Sequence, residues 1–218
     1  MDVLFLDEHL LVVDKPAGVA TLPGGWEAGP DRQASLLEML EKEHGKLWVV
    51  HRLDRSTSGV ILFARDATIH RTLNRLFETR QVRKTYHAIV CGVPAWQEHT
   101  ARHRLRQNSG HRHRSAVDHA HGKTAATHFT VLERLWRHAL VEAVPETGRT
   151  HQVRAHAAAL GFPLLADSLY GAPETEVIAR TALHALSLEL ELDGKQVTFS
   201  APHPPDLKRA LEKLRAGL

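Results

Sequence analysis

Cysteine is almost absent from this chain: Cys91 is the only one. That excludes an intramolecular disulfide and any multi-cysteine zinc or iron–sulfur site. Long apolar runs are missing too, since no stretch approaches the roughly 18–20 consecutive apolar residues of a membrane span. The N-terminus, Met1-Asp2-Val3-Leu4-Phe5-Leu6-Asp7, has acids and no basic region, so it does not read as a signal peptide. No internal repeat or low-complexity linker interrupts the pattern. What remains is a chain of 218 residues, 43% hydrophobic and 24% charged, able to bury a sizeable core. The expectation is a soluble, cytoplasmic protein of one catalytic-sized domain, residues 1–218.

Lysine is scarce beside arginine, with 8 lysines among 28 cations against 25 acids, a net charge of only +3. The distribution is uneven. From His99 to Lys123 there are five arginines, one lysine and a single acid, Asp118, giving +5 there and −2 over the rest. Planar guanidinium donors concentrated in this way suit phosphate, although a solvated basic loop would read the same by composition.

Short apolar runs at Val3–Leu6, Leu10–Val13, Leu47–Val50, Gly59–Ala64 and Tyr86–Val90 predict strands, as do the runs near 127–131 and 139–144. Leu186 to Leu192 alternates at period two and meets Val197 and Phe199 across Asp193-Gly194, a hairpin signal. Helical spacing appears at Leu36, Leu37 and Leu40, over 67–79, over 150–160 and at Leu207, Leu211 and Leu214. Strands in meander-like groups predict an α+β fold with a largely antiparallel sheet and flanking helices.

One segment is dense in reactive groups: His51-Arg52-Leu53-Asp54-Arg55-Ser56-Thr57-Ser58-Gly59. Arginines flank Asp54, and opposite charge favours the ionised carboxylate. Such a carboxylate in a basic cleft can act as a nucleophile or stabilise an oxocarbenium-like sugar. On these residues alone, a salt-bridged Asp in an ordinary turn is the commoner case.

This segment resembles the H-R-L-D-x-x-T-S-G hallmark of the RluA family of RNA pseudouridine synthases. Five further elements of that family occur in its order along the chain. Lys15-Pro16-Ala17-Gly18 resembles K-P-x-G, and Arg83 to Val90 resembles the K-x-Y-x-A-x-V strand. Thr147 to His156 resembles G-R-T-H-Q-I-R-x-H, while Leu183-His184-Ala185 and Ala201-Pro202 with Pro204 resemble the C-terminal L-H-A and A-P-x-P elements. One departure is Ala166-Asp167-Ser168-Leu169-Tyr170, where the family usually has glycine first.

The resemblance implies a pseudouridine synthase fold with a central RNA-binding cleft, lacking the small N-terminal RNA-binding domain of many members. It implies isomerisation of uridine to pseudouridine in ribosomal RNA, tRNA or both, with no cofactor and no metal. RNA is then the partner; no membrane and no obligatory protein partner are expected, and the chain is expected to be monomeric. By place in the motifs, Asp54 is the catalytic aspartate, Tyr86 stacks on the target uracil, and Arg154 pairs with Asp54. Arg149 is the alternative partner, though its place before the helix suits bracing. His151 is expected on the same helical face as Arg154, three residues apart. Arg52 fills the gap left by the extruded base, and Arg55 and Thr57 complete the substrate contacts. Arg104, Arg106, Arg112 and Arg114 are expected to form a mobile RNA-facing arm.

Two other readings exist. A non-catalytic RNA-binding or ribosome-assembly protein could share the fold, but the Asp54, Tyr86 and Arg154 set is intact. A glycosidase or nucleosidase would need a second carboxylate near Asp54, and none is evident in sequence. The histidines from 99 to 121, with His99 and His103 at helical spacing, lack cysteine or acid partners for a metal apart from Asp118.

Overall fold

In a computed structural model the residues described are 1–24, 33–109 and 114–217; the side chains of Asn108 and Ser109 are not included. They form two compact units, Met1–Val82 with Ala185–Pro202, and Arg83–His184 with His203–Leu218.

In the first unit, β1 (Asp2–Leu6), β2 (Leu10–Lys15) and β4 (Ser58–Ala64) run antiparallel in that order, with short β3 (Trp48–Val49) also paired to β4. Every residue of β4 is buried, as its unbroken apolar run predicts. The Asp193-Gly194 turn joins β10 (Leu183–Leu192) to β11 (Lys195–Ser200), pairing Leu192 with Lys195. Gly59 explains the last letter of the motif: a side chain there would run into the Ala185 carbonyl, and its φ of 114° suits glycine.

Local chemistry sets the helix ends. Ser35 and Glu38 form a reciprocal capping box on α1 (Leu36–His44), and Gly45 closes it. The Asp66 carboxylate accepts from the Thr68 and Ile69 amides and starts α2 (Ala67–Glu78).

In the second unit, β5 (Arg83–Cys91), β9 (His138–Pro145), β8 (Lys123–Arg134), β6 (Glu98–Ser109) and β7 (Arg114–Val117) pair antiparallel in that order. Helix α3 (Gln152–Ala159) covers one core around Phe129, Val141 and Val153. Helix α4 (Pro205–Arg215) buries Leu207, Leu211 and Leu214 with Ile89 and Leu140. The α+β class and largely antiparallel pairing are as expected.

The basic stretch differs from expectation. Glu98–Ser109 and Arg114–Val117 are strands and residues 118–122 a turn: Arg102, Arg104 and Arg106 are exposed and alternate with buried Ala101 and Leu105 and half-buried His103. This period of two is present in Ala101-Arg102-His103-Arg104-Leu105-Arg106, and the charge count hides it. His99 and His103 accordingly share a strand face, not a helical one. Among the described residues, no group of three or more His, Cys, Asp or Glu side chains is arranged to hold a metal ion.

Candidate active site

The motif residues are distributed over both units. In the first, the loop from His51 to Thr57 has no regular hydrogen-bonded structure, yet tethers hold it on both sides of Asp54. Upstream, the buried Thr21 hydroxyl donates to the Leu53 carbonyl at 2.9 Å and accepts from its amide at 3.2 Å. Leu53 is itself buried. Downstream, the Arg55 carbonyl accepts from the Gly18 amide at 2.8 Å and from Lys15 Nζ at 3.3 Å. The Thr57 amide donates to the Asp54 carbonyl at 3.0 Å, closing the turn. Asp54 is half-buried at its crest.

Lys15 is 0% exposed, and its ammonium donates to the carbonyls of Pro16, Val19 and Arg55. A buried cation is tolerable when charge-assisted bonds replace its hydration. Lys15 thus cross-links the K-P-x-G turn to the Asp54 loop, which gives that motif a physical purpose. Arg55 adds to this link, with Nε on the Gly18 carbonyl at 2.7 Å and Nη2 on Gln33 Oε1 at 3.2 Å. Arg52 is exposed, and Thr57 is buried. His51 carries weight that sequence reading did not assign. Its Nε2 accepts the Leu62 amide at 3.1 Å and its ring stacks on Phe77, 4.7 Å between centroids.

In the second unit Tyr86 is half-buried on β5, opposite Ala143, and packs against the core around Phe129 and Val153. The other motif side chains meet at the start of α3. Arg154 is buried and doubly bonded to buried Asp167, Nε to Oδ2 at 2.7 Å and Nη2 to Oδ1 at 2.8 Å. Its guanidinium also lies 5.1 Å from the Tyr170 ring centroid. The Tyr170 hydroxyl donates to the Ser115 carbonyl and accepts its amide, both at 3.0 Å. Asp167 and Tyr170 are thus the residues that orient Arg154. Both stood in a motif already quoted, without an assigned part.

His151 is the N-cap of α3 with a left-handed φ of 54°, and its carbonyl accepts the Ala155 amide at 2.8 Å. Like Arg154, it reaches Tyr170, the two rings lying 5.9 Å apart. Its Nδ1 lies 3.3 Å from the Tyr170 hydroxyl. Arg149 sits in the preceding turn, its amide on Gln152 Oε1 at 3.0 Å and its Nε on the Thr124 carbonyl at 3.4 Å. Buried Gln152 reaches Thr147, Ala126 and Thr127, which fixes α3 to β8. Ala166, where the resembled motif has glycine, has φ 60°, so the turn keeps a glycine-like shape despite the methyl.

Of the basic strand residues, Arg104 Nε donates to the Gly122 carbonyl, Arg106 lies 3.2 Å from Asp118, and Arg114 Nη1 donates to the Leu169 carbonyl. Arg102 lies 3.7 Å from Glu146, so the opposite charge offered to this stretch extends beyond Asp118. Arg112 lies outside the described residues.

The RNA pseudouridylate synthase family model matches residues 9–159. The chain belongs to this family. An uncharacterized RNA pseudouridine synthase of Zymomonas mobilis is 41% identical over 93% of each chain. The dual-specificity RNA pseudouridine synthase RluA of Haemophilus influenzae is 36% identical over 92% of each. Among solved structures, human RNA pseudouridylate synthase domain containing 4 superposes with a TM-score of 0.81 at 25% identity, covering 98% of this chain and 92% of that one. As a family member the chain is an RNA pseudouridine synthase, an isomerase of uridine in RNA. Among the described residues no helix is long and apolar enough to cross a membrane.

Proposed function

We propose that Asp54 is the essential carboxylate of this isomerase. The reaction breaks the bond from uracil N1 to the ribose C1′, turns the base, and rejoins it through C5. The hydrogen on C5 leaves and N1 gains one, so atoms balance without redox chemistry or a second substrate. What it demands is a carboxylate held still beside the sugar. The observation supporting Asp54 is the tethering of its loop, which holds the backbone at Leu53 and Arg55 on either side of it. A group fixed before the substrate arrives loses little freedom in the transition state.

Tyr86 is assigned the face on which the uracil stacks, and Arg154 the charge that compensates Asp54. Arg52, Arg55, Thr57, Arg149 and His151 are assigned to substrate binding, Arg52 filling the place of the extruded base. Arg104, Arg106, Arg112 and Arg114 are offered to RNA phosphates, the Arg106 side chain being 51% exposed. The RNA is ribosomal RNA, tRNA or both, and the enzyme works in the cytoplasm as a single chain.

Asp54→Asn is the direct test, because it keeps the shape and removes the charge. The expected result is product formation lowered by on the order of 10²–10⁴ or more, with RNA affinity nearly intact. Product within a few-fold of wild type would remove Asp54 from the mechanism. Pseudouridine mapping across all RNA from cells with and without the gene identifies the target.

A further inference from the structure

At 73% exposure, Trp136 is the large apolar side chain most open to solvent among the described residues. It sits with Arg137 at the tip of the β8–β9 hairpin, closed by the Leu135 amide on the His138 carbonyl and the reverse bond. Two-residue hairpin tips favour Asn-Gly or Asp-Gly, whose left-handed conformations match the strand twist. Neither Trp136 nor Arg137 has positive φ. Turn geometry therefore does not select this pair, and core packing does not either. The Arg137 guanidinium lies 4.5 Å from the Trp136 ring centroid, so cation and aromatic form one surface. Arg134 turns the other way, bonding Gln97 and the Trp96 carbonyl, which leaves Arg137 to carry the charge of the tip.

We propose that Trp136 and Arg137 form a second RNA contact, the indole stacking on an unpaired base and the guanidinium meeting an adjacent phosphate. Its place separates it from the uracil position. In the β5–β9 register Tyr86 faces Ala143 and Cys91 faces His138, so the tip begins five strand residues (143 to 138) from Tyr86, roughly 16 Å. A base held there belongs to RNA several nucleotides from the target uridine. RNA is the occupant the tip fits, because an exposed indole beside a cation matches the π-face and phosphate of a single strand. This inference rests on the RNA-isomerase reading for its physiological ligand.

The test is equilibrium binding of fluorescein-labelled oligouridylate to the full chain across a salt series, with Trp136→Ala, Trp136→Phe and Arg137→Ala. Trp136→Ala is expected to bind roughly 5- to 150-fold more weakly with an unchanged salt slope, and Trp136→Phe to recover most of the affinity. Arg137→Ala is expected to flatten the slope by about 0.7. Single-turnover pseudouridine formation on unmodified ribosomal RNA and tRNA at saturating enzyme should stay at the wild-type rate in all three. Wild-type affinity in Trp136→Ala overturns the proposal. So does a variant that loses self-association in sedimentation while binding RNA normally, which assigns the tip to a second copy. Failure of the isomerase reading looks different: the wild-type chain then forms no pseudouridine, whatever its affinity.

Discussion

The Asp54 loop and the start of α3 both hold functional side chains still, by opposite means. The loop is tethered through its main chain: Thr21 on Leu53, and Gly18 and Lys15 on Arg55, so the backbone is fixed and the side chains at 52, 54 and 55 remain half-buried or exposed. At α3 the side chains are themselves the scaffold, with Arg154, Asp167 and Gln152 all buried. Main-chain tethering lets a loop carry varied side chains. Side-chain scaffolding makes each member depend on the rest. Substitutions should therefore be absorbed differently in the two places.

The sharpest way to break this contrast is to remove one tether from each. Asp167→Ala leaves the buried Arg154 without its bidentate partner and is expected to cost about 3–5 kcal/mol, with activity falling further than stability explains. Lys15→Met removes the ammonium from the Pro16 and Val19 carbonyls, while the Arg55 carbonyl keeps the Gly18 amide, and is expected to cost about 3 kcal/mol, charge-assisted bonds being worth about 1.5–3 each and not additive. Urea titration measures both. The contrast appears in the activity of each variant kept folded at low temperature: Lys15→Met should recover most of its rate, Asp167→Ala should not. Equal recovery would dissolve the distinction.

Acid should act on the scaffolded region. Burial, with His103 nearby, holds His156 at about 4, below the ordinary 6.5, and its Nδ1 is 2.9 Å from Thr127 Oγ1. The unfolded chain therefore takes up a proton more readily, so this contribution is complete above about pH 6.5 and declines as pH falls toward 4. His87 behaves alike, held at about 4 by burial and by His203 beside it. The fully buried His156 adds a slope approaching about 1.4 kcal/mol per pH unit in that window, and the half-buried His87 a smaller one of the same sign. Denaturant midpoints at pH 7 and pH 5 read the loss, and amide exchange should show α3 loosening before β2 and β4. A midpoint independent of pH would contradict the burial of both imidazoles.

The smallest effect is a gain. Ala166 holds a left-handed φ of 60°, which costs an L-residue about 1–2 kcal/mol. Ala166→Gly removes that strain while adding unfolded-state entropy, for a net gain of about 1 kcal/mol and a Tm higher by about 2–4 °C. A lower Tm would mean that the methyl packs usefully beside Asp167.

Much of this was readable from the chain alone. The apolar run of β4, the Asp193-Gly194 hairpin and the motif around Asp54 all depend on residues within a few positions of each other. Patterns of that range are written directly in sequence, which is why strands, helices and family could be derived. The misreading of the basic stretch also has a local cause. Charge counting over 99–123 concealed the alternation of Arg102, Arg104 and Arg106. What only the tertiary structure decided are partnerships at distance: Lys15 with Arg55, 40 positions away, and Arg154 with Asp167, 13 away. A buried cation must find acceptors wherever the fold brings them. That choice depends on where strands and turns come to rest in space, and no spacing along the chain contains it.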